Sequence, residues 1–192
     1  MSNLRFLAVS ATMPNLTDVA SVIEANEAYA FNDSFRPVPL TVHVQACGHI
    51  GKNQYFFDKS LNQHVPSLLH RYSKGRPAIV FCHSKKDTEV LANDLTKSFS
   101  SPSSLNISVL NNFANRANTA SLQRFLRCGV AYHHAGLEPS DRKVVEEAFM
   151  SGSINCLCAT STLAMGVNLP SHLVIVKGSK FGGFLFDFQF LS

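Results

Sequence analysis

Hydroxyl, ammonium and imidazole groups gather at three places in this 192-residue chain, each directly after a short apolar run. Ser84, Lys85 and Lys86 follow the run 78–82. His133, His134 and Gly136 follow the run that starts after Gly129, and Thr160, Ser161 and Thr162 follow the run 154–159. Such groups suit phosphate oxygens. A hydroxyl donates to one, a lysine neutralises its charge, and backbone amides at a helix start add N–H donors and a partial positive charge. In an open α/β sheet, ligands bind along the edge where strands hand over to the next segment. Thr160 offers a hydroxyl and an amide to a phosphate. Gly166, lacking a Cβ, lets backbone approach a ligand.

Metal chemistry is disfavoured. Neighbouring strand residues point to opposite sides, so His133 and His134 do not readily ligate one ion, and no cysteine or carboxylate stands at a supporting spacing. His134 reads as a strand-end hydrogen-bonding residue and His133 as a packing residue. Lys86 reads equally well as part of a solvated helix start. Asp141 and Arg142 read as capping and pairing within the start of their own helix. The chain contains no Gly-x-x-x-x-Gly-Lys-Ser/Thr phosphate loop and no Asp-Glu-x-His, the elements that hold a triphosphate, its magnesium and the attacking water.

These groups need strands and helices to position them. Residues 154–159 and 173–176 are apolar runs of the kind buried in a parallel sheet, and residues 78–82 form another. Val144, Val145, Ala148 and Phe149 make a helical stripe that opens after Pro139, Ser140 and Asp141. Helices are also expected over residues 16–26, capped by Asn15 or Thr17, over 56–72 with Pro66 inside, over about 86–99 and over 122–127. Lys74, Gly75, Arg76 and Pro77 form a turn. Residues 4–11 and 40–46 read as strands. Residues 100–118, rich in Ser and Asn, read as a loop. Five of the fifteen phenylalanines lie in the last twelve residues, and Phe184, Phe186, Phe188 and Phe190 recur at the strand period of two.

A hydrophobic content of 45% with 16% charged residues describes a soluble globular chain with one good core. No apolar run reaches the length of a membrane span, and the polar start MSNLRFLAVSATMP does not read as a secretory signal. The net charge of +4 permits nucleic-acid binding without demanding it. Cys82, Cys156 and Cys158 sit in apolar runs and read as buried free thiols, with Cys156 and Cys158 expected on opposite faces of a strand.

The segments HHAGL, DRKVVEEAF, ATSTLAMGVNLP and HLVIVKG also carry a resemblance. They resemble the second RecA-like lobe of superfamily-2 helicases, in the Ski-like branch of DExH enzymes, with the greatest likeness to meiotic crossover DNA helicases. The resemblance implies an α/β fold, a RecA-like parallel sheet with helices on both faces. It implies that residues 1–36 end a first lobe, that 37–178 are the second lobe, and that 179–192 are a divergent tail where an arginine-bearing motif is expected. Ser10, Ala11 and Thr12 then stand as motif III, a relay between ATP and nucleic-acid sites. Ser84 and Lys85 stand in motif IV, His134 and Gly136 in a nucleic-acid-facing turn, and Thr160 in motif V. Gly166 and Asn168 belong near the nucleotide, Asn168 beside the ribose. ATP and Mg2+ are implied for a complete enzyme and are not held by this chain alone. Single-stranded or branched DNA and the first lobe are the implied partners, and the nucleus the implied location. A non-catalytic binding module and a repair helicase of the theta-polymerase type are the alternative readings.

Overall fold

Four apolar runs become the strands of one parallel sheet: β1 (Ala78–Phe81), β2 (Val130–His133), β3 (Cys156–Ala159) and β4 (Leu173–Val176), in the order β2-β3-β1-β4. A computed structural model describes residues 6–10, 13–47, 54–98, 105–164, 169–178, 180–181 and 184–185. These fall into two units, one ending at Cys47 and one taking in the sheet. Every residue of β1, β2 and β3 is buried. That explains why these strands read as unbroken apolar runs and not as alternating ones.

Helices cover both faces. The helical stretch before β1 runs through α2 (Gln54–Leu61), a 3-10 turn and α3 (Val65–Leu68), then widens to π geometry over Leu69–Ser73. Pro66 stands in the first turn of α3, where a missing N–H costs little. α4 (Lys85–Ser98) buries Thr88, Leu91, Ala92 and Leu95, a helical stripe. α6 (Ala120–Arg127) sets Phe125 edge-to-face against Tyr132 of β2, with ring centroids 5.8 Å apart. α7 (Pro139–Met150) opens on Pro139 and lies on the opposite face, where Glu146 meets His133. The expected RecA-like α/β architecture is therefore present.

Three expectations are corrected. Within the stretch expected as a loop, α5 (Ile107–Arg116) forms. The Asn106 side chain accepts from the amides of Ser108 at 3.0 Å and Val109 at 3.3 Å, and Leu110 and Ala114 are buried one turn apart. Cys156 and Cys158 share one face, because side chains two apart on a strand point the same way. Burial, followed by a hydrogen bond with Cys156, pushes the Cys158 thiol up. Residues 6–10 and 40–46 form no strand and are exposed; alternation without a neighbouring strand leaves the ladder unpaired.

The unit ending at Cys47 holds α1 (Leu16–Val22), shorter than expected. Glu24 adopts φ +51° just past its end, and no described residue of the helix is buried to extend it. In the sheet unit, β5 (Lys180–Phe181) pairs antiparallel with β6 (Phe184–Leu185). The expected periodicity from Phe186 to Phe190 lies outside the described residues.

Candidate nucleic-acid interface

All four strands run the same way, so their exits share one edge. The register aligns Phe81 with Ala159 and Val176, and Ala159 with His133. The next residues, His134, Thr160, Cys82 and Lys177, therefore form one row. The amides of Cys82, Thr160 and Lys177 donate across it to the carbonyls of Ala159 (2.8 Å), His133 (3.2 Å) and Phe81 (3.2 Å).

At the β1 exit, Ser84 caps α4: its hydroxyl oxygen accepts the amide of Asp87 at 3.2 Å. The hydroxyl proton is left to donate outward. Lys85 and Lys86 are exposed at the first positions of this fourteen-residue helix, whose dipole presents a partial positive charge at that end.

At the β2 exit, His134 is buried with both ring nitrogens engaged. Nδ1 accepts the amide of Gly136 at 3.1 Å, which places the ring proton on Nε2, 3.2 Å from Glu89 Oε1. Its ring stacks on Tyr132, with centroids 5.4 Å apart. His134 thus shapes the turn and shows little of itself to solvent. Gly136 is exposed, and its missing side chain matters. A Cβ there would lie 3.2 Å from His134 Nδ1 and 3.3 Å from Lys85 Nζ. The Lys85 ammonium therefore rests over the Gly136 turn, and Ser84, Lys85, His134 and Gly136 come together.

At the β3 exit, Thr160 is half-buried. Its hydroxyl lies 2.8 Å from that of Thr162, and its carbonyl accepts the amide of Leu163. It stands beside His134 in the row. Ser10 is exposed in the other unit. Ala11, Thr12, Gly166 and Asn168 lie outside the described residues.

Several partners escaped the sequence reading. Glu89 holds His134, and Lys177 is paired with Asp87. On the other face His133 meets Glu146 at 2.9 Å, and burial holds its imidazole below the ordinary range. His133 thus sits in the core as expected, but with a carboxylate partner. Asp141 does not cap its own helix. Fully buried, it accepts from the amides of Asn118 (2.7 Å) and Thr119 (3.1 Å) and from the Thr119 hydroxyl (2.6 Å), capping α6 from α7. The spacing of DRKVVE gave no hint of this, because the partner lies 22 residues earlier.

The donor set is hydroxyl, ammonium and amide, which suits a phosphate oxygen. Among the described residues no group of three His, Cys, Asp or Glu side chains could hold a metal ion. Asp87 and Glu89, the carboxylates of the first turns of α4, are already engaged. The residues present therefore do not fit a magnesium-bound triphosphate by themselves. No helix among the described residues is long and apolar enough to cross a membrane.

The chain is 41% identical, over 92% of its length, to the probable ATP-dependent DNA helicase HFM1 of Xenopus tropicalis, of which it spans 14%. It is 36% identical over 93% of its length to the ATP-dependent DNA helicase MER3 of Saccharomyces cerevisiae, spanning 15% of that protein. It is 35% identical, again over 93%, to the DExH-box ATP-dependent RNA helicase DExH14 of Arabidopsis thaliana, spanning 9%. The chain thus covers less than a fifth of each of these relatives. Residues 60–181 match the helicase conserved C-terminal domain, and the chain belongs to that family.

Proposed function

We propose that this chain supplies the second lobe of an ATP-dependent DNA helicase acting in meiotic recombination in the nucleus. Its task is to hold single-stranded phosphates while a first lobe, ended by residues 1–36, works against it. Residues 37–178 form the lobe on this reading. The observation that carries it is the meeting of the Ser84 hydroxyl, the Lys85 ammonium over the Gly136 turn, and Thr160 along one sheet edge. Ser84, Lys85 and Thr160 contact phosphate. His134 builds the turn that presents Gly136. Gly166 and Asn168 serve nucleotide binding, and Ser10, Ala11 and Thr12 couple the two sites. Gripping of this kind is largely independent of base sequence. ATP and Mg2+ are served by the whole enzyme, since Asp87 and Glu89 at the edge are already paired and the sequence holds no phosphate loop. DNA, not RNA, is favoured by the two DNA helicase relatives, which are the more similar of the three described above.

The test is binding of the chain to labelled single-stranded DNA and RNA of equal length, measured across a salt series. Wild-type affinity should fall steeply with salt. Lys85→Ala should flatten the slope by roughly one, the loss of one phosphate contact. An unchanged slope and affinity removes Lys85 from the site, and a preference for RNA overturns the choice of substrate.

A further inference from the structure

Lys177 ends the row of residues at the strand exits, and only 6% of its surface is exposed. A buried ammonium is costly unless it is paired. Its Nζ lies 2.6 Å from Asp87 Oδ2 and also donates to Asn62 Oδ1. Three separate elements meet there: the turn after α2, the first turn of α4 and the end of β4. Cys82 packs beside the pair, its thiol pushed up by burial.

Asp87 is the reason this pairing bears on ligand binding. It stands three residues after Ser84, donates its own amide to the Ser84 hydroxyl, and follows Lys85 by two. A phosphate held by Ser84 and Lys85 would face a carboxylate within one helical turn. An unpaired carboxylate there repels the ligand, whereas one matched to an ammonium does not. Stability alone does not call for this arrangement, since apolar side chains of similar volume often hold a fold as well as a buried ion pair.

We propose that Lys177 is a positioning residue of the phosphate edge: it cancels the Asp87 carboxylate, which would otherwise repel a phosphate held by Ser84 and Lys85. This rests on the phosphate-gripping reading above and adds to it a residue that touches no ligand.

The experiment compares Lys177→Met, Asp87→Asn and the double variant with the wild-type 192-residue chain. Each is followed by thermal melting and by anisotropy of a fluorescein-labelled oligothymidylate. Lys177→Met is expected to bind about tenfold more weakly, from one uncancelled charge within a turn of the phosphate. Asp87→Asn removes the repelling charge, so it should bind as tightly as wild type or tighter, even though it melts lower. The double variant should return to within about twofold of wild type, because neither charge remains. A purely structural pair predicts the other sign for Asp87→Asn, with affinity falling together with melting temperature, and that result overturns the proposal. Folded Lys177→Met that binds like wild type overturns it too. If Lys177→Met does not fold, the affinity of Asp87→Asn decides. A wild-type chain that binds no oligothymidylate at low salt removes the phosphate-gripping reading itself, and this inference with it.

Discussion

The amide of Gly136 donates to Nδ1 of His134 at 3.1 Å, so the histidine closes the turn that follows it. The same glycine leaves room for the Lys85 ammonium, since a Cβ would come within 3.3 Å of Nζ. Gly136→Ala is therefore expected to push Lys85 aside and lower single-strand affinity several-fold. The flexible lysine end can move, but the buried His134 ring, 3.2 Å from the same Cβ, has little room, so a folding cost of about 1–3 kcal/mol is expected as well. Anisotropy and urea melts on one preparation check both halves. A large stability loss with unchanged affinity would place the glycine's role in packing.

Asp141 is fully buried and accepts three hydrogen bonds that tie the start of α6 to α7. Asp141→Ala leaves two amides and a hydroxyl without their acceptor, and should cost about 2–4 kcal/mol. A stability loss, taken from the urea midpoint and slope, of less than a quarter of that would mean that water or a neighbour replaces the carboxylate. Affinity of the folded variant for single strands should change little, because Asp141 faces away from solvent.

Burial lowers the pKa of His133 from its ordinary value of 6.5. A base whose folded pKa is depressed takes up its proton more readily in the unfolded chain. Stability is then fully present above 6.5 and is lost as pH falls from there toward the folded value. Denaturant midpoints at pH 7.5 and 5.5 should show the fall, and His133→Gln, which can still donate to Glu146, should flatten it. An equal fall in the variant would assign the pH dependence to other groups.

The chain alone is expected to release phosphate from ATP only at background, with or without single-stranded DNA. The warrant is that no group of three His, Cys, Asp or Glu side chains among the described residues could hold a metal ion, and that the sequence has no lysine-bearing phosphate loop. Phosphate release assays with Mg2+ check this, and magnesium-dependent turnover at a helicase-like rate would refute it.

Much of the scaffold was legible because local chemistry and tertiary packing agree there. Residues 78–81, 130–133 and 156–159 are buried throughout and bounded by polar clusters, as strands covered on two faces must be, and the edge strand 173–176 is equally apolar though mostly half-buried. Ser84 and Lys85 were singled out by their place after an apolar run and by motif likeness, whereas the cap that Ser84 makes on α4 was not foreseen. α5 was missed because Asn111, Asn112 and Asn115 dilute its stripe; Asn106 as cap, with Leu110 and Ala114 one turn apart, was the available signal. Residues 40–46 misled for the opposite reason, since alternation describes a half-buried strand only when a neighbouring strand exists to pair with it. The partners of His134, Asp141 and Lys177 stand 45, 22 and 90 residues away. No spacing rule reaches that far.

The pairing of Lys177 with Asp87 also bears on how the sheet finds its alignment during folding. Strands that are apolar on both faces look alike after sliding by one residue, so their composition says little about which rows should match. Lys177 breaks that degeneracy. With β4 one residue out of step, its side chain would turn to the α7 side of the sheet, away from the Asp87 carboxylate. A two-residue slip would carry it about 6.6 Å along the strand, beyond the reach of Asp87. Exchanges among the Val and Ile residues of β4 should therefore be tolerated, while moving the lysine one position either way should yield mispaired, aggregation-prone chains.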